Sequence, residues 1–327
     1  MHKKIDWANQ VGRRVKLRDL HVFFMVAQHG SMAEAARQLG VSQPAVSEVI
    51  ADLEHVYGVR LFDRSREGVE RTLYGDSLFG RCVAVFDELK QSVRDIEFLL
   101  NPAVGELRIA SVESITATFL PKVIQRFVQK YPCVTIHVDD MPTRRIALPG
   151  LRERKFDLVF GRPTMPLPDD HLGPDFKVVF LFNDPLVIAA GEHTPWARRR
   201  KIDIAELIAE PWLLVAPPSW NYVYVAQAFE QRGLAMPNVN LMTLSLPLRA
   251  HMVANGPFIT VNTRMVIGLM REYGLKLKVL PVDVQMEPWP VMVATLKSRT
   301  LSPLVERFIE CARDAAKVLE PYRGRPE

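Results

Sequence analysis

The sequence predicts an α/β protein with an all-α, winged-helix N-terminal domain: a winged helix-turn-helix, then one long helix, then a two-lobed α/β region. Three patterns predict it. Two short helix-forming stretches flank a glycine turn between Ser31 and Leu53, an apolar stripe with spacings of three and four runs from Phe79 to Leu100, and strand-like and helix-like segments alternate beyond Pro102.

Gly30 ends a first helix, and Ser31 and Glu34 stand at the S-x-x-E spacing of a capping box. Ala33, Ala35, Ala36 and Leu39 then give a short helix a small, close-packing face. Gly40 suits a left-handed C-cap, Val41 fills the angle between two helices, and Ser42 caps a second helix with Pro44 in its first turn. On that helix Val46, Val49, Ile50 and Leu53 recur at inward-facing positions, which leaves Gln43, Pro44, Ser47 and Glu48 outward. Glutamine and serine near a helix N-terminus bond base edges and phosphates, the manner in which a recognition helix reads a major groove. Two packed helices that meet no nucleic acid are the alternative this spacing leaves open.

Downstream, Leu61 and Phe62 anchor a short strand, Gly68 permits a hairpin turn, and Arg60, Arg64, Arg66 and Arg71 load the hairpin with basic charge. Such a wing positions a duplex without reading it; a solvated arginine-rich surface is the other reading. The net charge of +5 and pI near 9.1 favour a polyanionic partner only weakly. Residues 1–75 hold eleven Lys/Arg against nine Asp/Glu, so the basicity is local, in Arg13, Arg14, Lys16, Arg18 and the wing. With 327 residues and 48% hydrophobic content the chain has length for this small module and a larger globular part.

Cys82, Cys133 and Cys311 lie far apart with no C-x-x-C pair and no histidine cluster, which suggests a reducing cytoplasm and no structural zinc. The N-terminal MHKKIDWANQVGRRVK lacks the apolar run of a signal peptide, and no stretch is long and apolar enough to span a bilayer, so a soluble, cytoplasmic protein is expected.

Phe79, Cys82, Phe86, Leu89, Val93, Ile96 and Leu100 form an a/d heptad stripe with Asp87, Glu88, Lys90, Gln91 and Arg94 outside it. One long helix therefore carries one apolar seam, which either pairs with another subunit or packs on its own chain. Beyond Gly105 the expected order is strand 106–111, helix 120–131, strand 134–138, helix 146–154 and strand 156–160. A second set follows: strands 178–182, 186–190 and 213–216, helix 223–232, strand 239–244, helix 248–254 and strand 259–261, with 279–282 leading back. Strand 291–295 and helix 304–319 return to the first lobe, so the chain crosses between two lobes twice.

The run LRDLHVFFMVAQHGSMAEAARQLGVSQPAVS, then DLEHVYGVRLFDR, resembles the DNA-binding domain of LysR-type transcriptional regulators. GELRIAS, FLPKVIQRFVQKYPCV and FDLVFG resemble the first lobe of that family's effector-binding domain, itself similar to a type 2 periplasmic binding protein. Together these cover nearly the whole chain. The resemblance implies a winged helix-turn-helix over 15–75 with its helix-turn-helix at 32–51, a linker helix over 76–101 and an effector-binding domain over 104–327. Within the last, lobe I takes 104–178 and 281–327 and lobe II takes 179–280. It further implies DNA contacts from Ser31, Ser42, Gln43, Pro44, Ser47, Arg64 and Arg66, and dimerisation through Phe79, Cys82, Phe86, Leu89, Val93 and Ile96. The implied partners are double-stranded DNA, a small-molecule effector, further copies of the chain as a dimer of dimers, and RNA polymerase, with no cofactor. Two departures stand out: Glu48 replaces a residue that is very often basic, and NGPFITVNTR replaces a G-x-G-x-x-x-x-P-like turn.

Clefts in α/β lobes form at the C-terminal ends of strands, where helix N-termini offer free N–H groups. Ser111, Val112, Glu113 and Ser114 stand at the first such junction, Thr143 and Arg144 at the second, and Gly161 with Arg162 at the third. Hydroxyls, amides and arginines suit a small organic anion such as a carboxylate. Glu113 opposes an anion unless Arg144 or Arg162 pairs with it, and otherwise suits an amine or sugar hydroxyls. From the second lobe, Trp220 and Asn221 are placed to stack on and bond a ring or sugar, although Trp220 fits equally well as a surface cap.

An enzyme is not expected. The eight histidines form no H-E-x-x-H, and there is no G-x-S-x-G elbow, no G-x-x-x-x-G-K-S/T loop and no complete dinucleotide fingerprint. Asp139-Asp140, Asp169-Asp170 and the run Arg198 to Lys201 read as solvated loop charge. The runner-up is a solute-binding α/β domain whose N-terminal helices only oligomerise.

Overall fold

The structure, a computed structural model, describes residues 11–65, 68–101, 104–141, 148–162, 174–217, 219–284 and 289–319. The chain divides into two units, Met1–Val93 and Arg94–Glu327.

The first unit holds a single turn α1 (Gly12–Arg14), α2 (Leu17–His29), α3 (Met32–Leu39), α4 (Gln43–Tyr57), the hairpin β1 (Phe62–Ser65) and β2 (Gly68–Arg71), and most of α5 (Leu73–Leu100). Gly40 takes φ 66°, a left-handed conformation that closes α3 and lets the chain turn into α4 within three residues. The apolar faces of α2, α3 and α4 meet in one core, where Phe23, Val26, Ala35, Val46 and Ile50 are fully buried. Burial of each large side chain contributes roughly 1.5–3 kcal/mol. The start of α5 closes this core beside the hairpin. A Cβ on Gly75 would lie 2.1 Å from the Leu61 carbonyl oxygen, so only glycine allows the helix this close.

In the second unit the chain runs β3 (Val104–Val112), α6 (Glu113–Thr118), α7 (Leu120–Lys130), β4 (Cys133–Met141), α8 (Leu148–Arg152), β5 (Leu158–Gly161) and β6 (Phe176–Asp184). After Pro185 come β7 (Leu186–Gly191), β8 (Trp212–Leu214), α9 (Trp220–Glu230), β9 (Val239–Met242), α10 (Leu246–Asn255), β10 (Ile259–Thr263), α11 (Arg264–Glu272) and β11 (Leu277–Val279). It closes with β12 (Trp289–Leu296) and α12 (Pro303–Lys317).

Two five-stranded sheets result, ordered β4-β3-β5-β12-β6 and β11-β7-β10-β8-β9. In the first, β4, β3 and β5 are parallel and β12 runs antiparallel to both neighbours. In the second, β10, β8 and β9 are parallel. Central parallel strands are covered on both faces, which is why Leu107, Ile109, Val159 and Phe160 are wholly buried. Phe127 of α7 and Phe308 of α12 meet edge-on at 4.9 Å over the first sheet. Trp212, Phe229 and Ile259 fill one side of the second sheet, and Val253, Val266 and Ile267 the other. Asp157 pins the first sheet from within: its carboxylate accepts from Arg108 N and pairs with buried Arg299, each at 2.8 Å.

Two helices differ from expectation. α6 follows β3 with no break and carries the β-branched Ile115, Thr116 and Thr118, residues of weak helix propensity, while α11, which buries Val266, Ile267 and Met270 at helical spacing, follows β10 with no break. The first crossing also comes later than residue 178, because β12 pairs with β6 as far as Asp184 and keeps that strand in the first sheet. Among the described residues no helix is long and apolar enough to cross a membrane.

Candidate functional site

Serine caps shape the helix-turn-helix. Ser31 Oγ accepts from Glu34 N at 3.3 Å and Ser42 Oγ from Ala45 N at 3.4 Å. The expected capping box is only half made, since the Glu34 carboxylate accepts from Arg37 Nη2 at 2.6 Å and Gln38 Nε2 at 2.8 Å instead of reaching back. With Val46, Ile50 and Leu53 turned inward, the first turns of α4 leave Gln43, Pro44 and Glu48 exposed and Ser47 half-buried. Arg64 pairs with Val69 in the β1–β2 ladder, and Arg66 lies outside the described residues. Arg71 departs from the expected basic wing. It donates from Nη1 to the Ala27 carbonyl at 2.8 Å and from Nε to Asp76 at 2.7 Å, and it lies 4.4 Å over the Phe79 ring. Its guanidinium fastens the hairpin to α2 and α5.

The apolar stripe of α5 splits in two. Phe79 stacks on Phe24 with ring centroids 5.4 Å apart, Phe86 lies against Phe24 and His21, and Cys82 is buried in the core of the first unit. These three pack on their own chain because α2 lies across the start of the helix. Burial pushes the Cys82 thiol up to about 11. Leu89, Val93 and Ile96 are 43%, 55% and 58% exposed, so the second half of the stripe is open to solvent.

α6 follows β3 in the first sheet, and α9, α10 and α11 follow β8, β9 and β10 in the second, so their N-termini all lie at strand C-terminal ends. Ser111 is fully buried between β4 and β5, and Val112 is the N-cap of α6. Glu113 and Ser114 are half-buried at the head of α6. Thr143 and Arg144 lie outside the described residues. Arg162, expected to face a ligand, is instead a buried clasp. Its Nη2 donates to Asp184 at 2.8 Å, its Nη1 to the Trp289 carbonyl at 3.1 Å and its Nε to Ser114 Oγ at 3.4 Å. Burial pushes the Arg162 guanidinium down, and the Asp184 charge opposes that. Among the described residues the acid Glu113 is paired not by Arg162 but by Arg249 of α10, at 3.3 Å. Trp220 leans on Trp289 with ring centroids 5.5 Å apart and joins the core of the second sheet, while Asn221 Nδ2 donates to the Val261 carbonyl at 2.5 Å. Both side chains therefore already have partners within the fold.

Against known families, residues 17–76 match the bacterial regulatory helix-turn-helix protein, lysR family, and residues 101–317 match the LysR substrate binding domain. The chain belongs to the LysR family. It is a DNA-binding transcriptional regulator with an effector-binding domain, and not an enzyme. The uncharacterised HTH-type transcriptional regulator YdcI of Escherichia coli (strain K12) is 35% identical over 179 residues, 54% of this chain and 56% of that protein. That match spans a little over half of the relative. A full-length OxyR variant from Pseudomonas aeruginosa has the same fold, with a TM-score of 0.63, 21% identity, and coverage of 95% of this chain and 99% of that one. Full-length CbnR complexed with its target DNA gives a TM-score of 0.52 at 22% identity, covering 92% of this chain and 100% of that one.

Three side chains of this LysR-type chain escaped the sequence reading. Glu54 of α4 accepts from Leu61 N at 2.7 Å and Phe62 N at 3.2 Å, tying the helix to the wing. Asp184 closes β6 and accepts from Met265 N at 3.2 Å as well as from Arg162. Arg249 stands with Leu246 and Val253 at i, i+3 and i+7 of an apolar helix face, and an arginine there calls for a carboxylate partner.

Proposed function

We propose that this regulator binds a two-fold operator as a dimer, reading bases through the N-terminal turns of α4, and that a small organic anion bound between the two sheets shifts its grip on DNA. The observation that carries the reading is the outward face of α4: a serine-capped helix start with Gln43 and Pro44 exposed and Ser47 at its edge. Residues 15–75 form the DNA-binding module with Ser31, Ser42, Gln43, Pro44, Ser47, Arg64 and Arg66 on its DNA face, 76–101 the linker and 104–327 the effector-binding part. The uncovered Leu89, Val93 and Ile96 supply the dimer seam, and two dimers assemble as a tetramer. CbnR, solved with its target DNA, has this fold.

For the effector, Glu113 no longer argues against an anion, since Arg249 balances its charge. Ser111, Val112 and Ser114 at the head of α6, with Thr143, Arg144, Trp220 and Asn221, frame the ligand. Binding acts on DNA only through different affinities for two assemblies. The site of action is the cytoplasm, where the complex meets RNA polymerase.

Binding to a library of the source genome's DNA at moderate salt, followed by sequencing, tests the reading. Discrete sites with two-fold symmetry are expected, and Ser47→Ala should weaken them by about ten-fold while the dimer persists. Diffuse, salt-labile binding, unaltered by Ser47→Ala, would overturn it.

A further inference from the structure

Glu113 begins α6 beside the first sheet, yet the helix that follows β9 in the second sheet holds its carboxylate. Oε1 accepts from Leu246 N at 2.9 Å, and Oε2 accepts from Arg249 Nη2 at 3.3 Å. Leu246 is the first residue of α10, where backbone N–H groups have no partner within the helix and the dipole end is positive. Ser245 caps this helix through Leu248 N, which leaves Leu246 N to Glu113.

Arg249, one turn further on, folds back over the same spot. Its Nη1 donates to the carbonyls of Thr243 at 3.1 Å and Leu244 at 2.6 Å. Its side chain is 6% exposed, and its Nε is buried with no hydrogen-bond partner among the described residues. A buried guanidinium with an unused donor beside an open helix N-terminus is a receptor for a carboxylate. In this chain the carboxylate comes from across the cleft.

The two partners are unequally committed. Glu113 is 33% exposed, so it is already part-solvated and turns out into water at low cost. Arg249 has no such exit: stripped of its carboxylate it would stay buried and unpaired. Whatever removes Glu113 must therefore bring a negative charge of the same shape. An amine would meet Arg249 as a like charge, and a sugar hydroxyl would leave the guanidinium uncompensated.

We infer that Glu113 occupies a carboxylate seat formed by Leu246 N and Arg249, and that a carboxylate ligand binds by taking its place. The exchange unties a cross-cleft link as it fills the site, so occupancy and the relation of the two sheets change together. This deepens the reading of the cleft as an anion site and rests on it.

Acetate is the probe, and the full chain is titrated with ¹³C-labelled acetate by NMR at constant pH and ionic strength. Glu113→Ala should bind acetate saturably and about ten-fold or more tightly than wild type, and Glu113→Ala/Arg249→Leu should lose that gain. Glu113→Gln, which keeps the side-chain size, should show the same gain if the alanine variant does not fold. Equal acetate binding by wild type and both single variants, or a gain that survives Arg249→Leu, would overturn the inference. DNA is absent from this test, so a regulator whose operator binding ignores anions would defeat the proposed function while leaving the seat intact.

Discussion

Glu34 illustrates what a single residue decides. Hydrogen bonds from Arg37 and then Gln38 lower its carboxyl from 4.5 to about 2, and the same bonds keep it from closing the capping box with Ser31. A depressed folded pKa means its contribution is fully present above the ordinary value and is lost as pH falls through about 2. NMR titration should place the Glu34 midpoint near 2, with Arg37→Ala returning it toward 4.5; an unmoved midpoint in that variant would refute the assignment. Residues of this kind are legible from sequence because their partners lie three or four positions away: Ser31, Ser42 and Gly40 were all readable as caps. Arg249 was not, since its carboxylate partner lies 136 positions off and only the fold brings them together.

At the scale of the element, α5 carries one stripe with two uses. The heptad spacing was visible, but the covering of its first half by Phe24 and His21 depends on how α2 folds back. This separates two variants that sequence alone would treat alike. Phe86→Ala should lower stability by about 2 kcal/mol in denaturant melts, through lost apolar burial and ring contact. Leu89, Val93 and Ile96 changed together to glutamate should leave that melt within about 0.5 kcal/mol when followed on the monomer, and should move sedimentation toward monomer. A triple variant that sediments like wild type would remove the seam from the dimer. Elsewhere α6 and α11 went unread because each begins at the residue after a strand, so no turn signal separates the two elements. The site suffered in the same way: the β3–α6 junction was legible from strand spacing, whereas the covering of Trp220 by Trp289 was not.

Over the whole effector-binding part, the buried pair of Arg162 and Asp184, with side chains 1% and 0% exposed, stands where the chain leaves one sheet for the other. Asp184→Asn should destabilise this part by about 3–5 kcal/mol, since it strands a buried guanidinium, and an Arg162→Met/Asp184→Leu pair should recover much of that loss. Chemical denaturation checks both, and a double variant as weak as the single one would point to another cause. The same crossing has a mechanical consequence. A single residue, Pro185, separates β6 from β7, and its carbonyl accepts from Arg264 N at 2.7 Å. A link that short leaves little slack at this crossing, so in a turn of one sheet against the other about it the displacement grows with lever arm: a turn of about 15° carries atoms about 20 Å away through about 5 Å. The far edges of this part are where a small event in the cleft is magnified most.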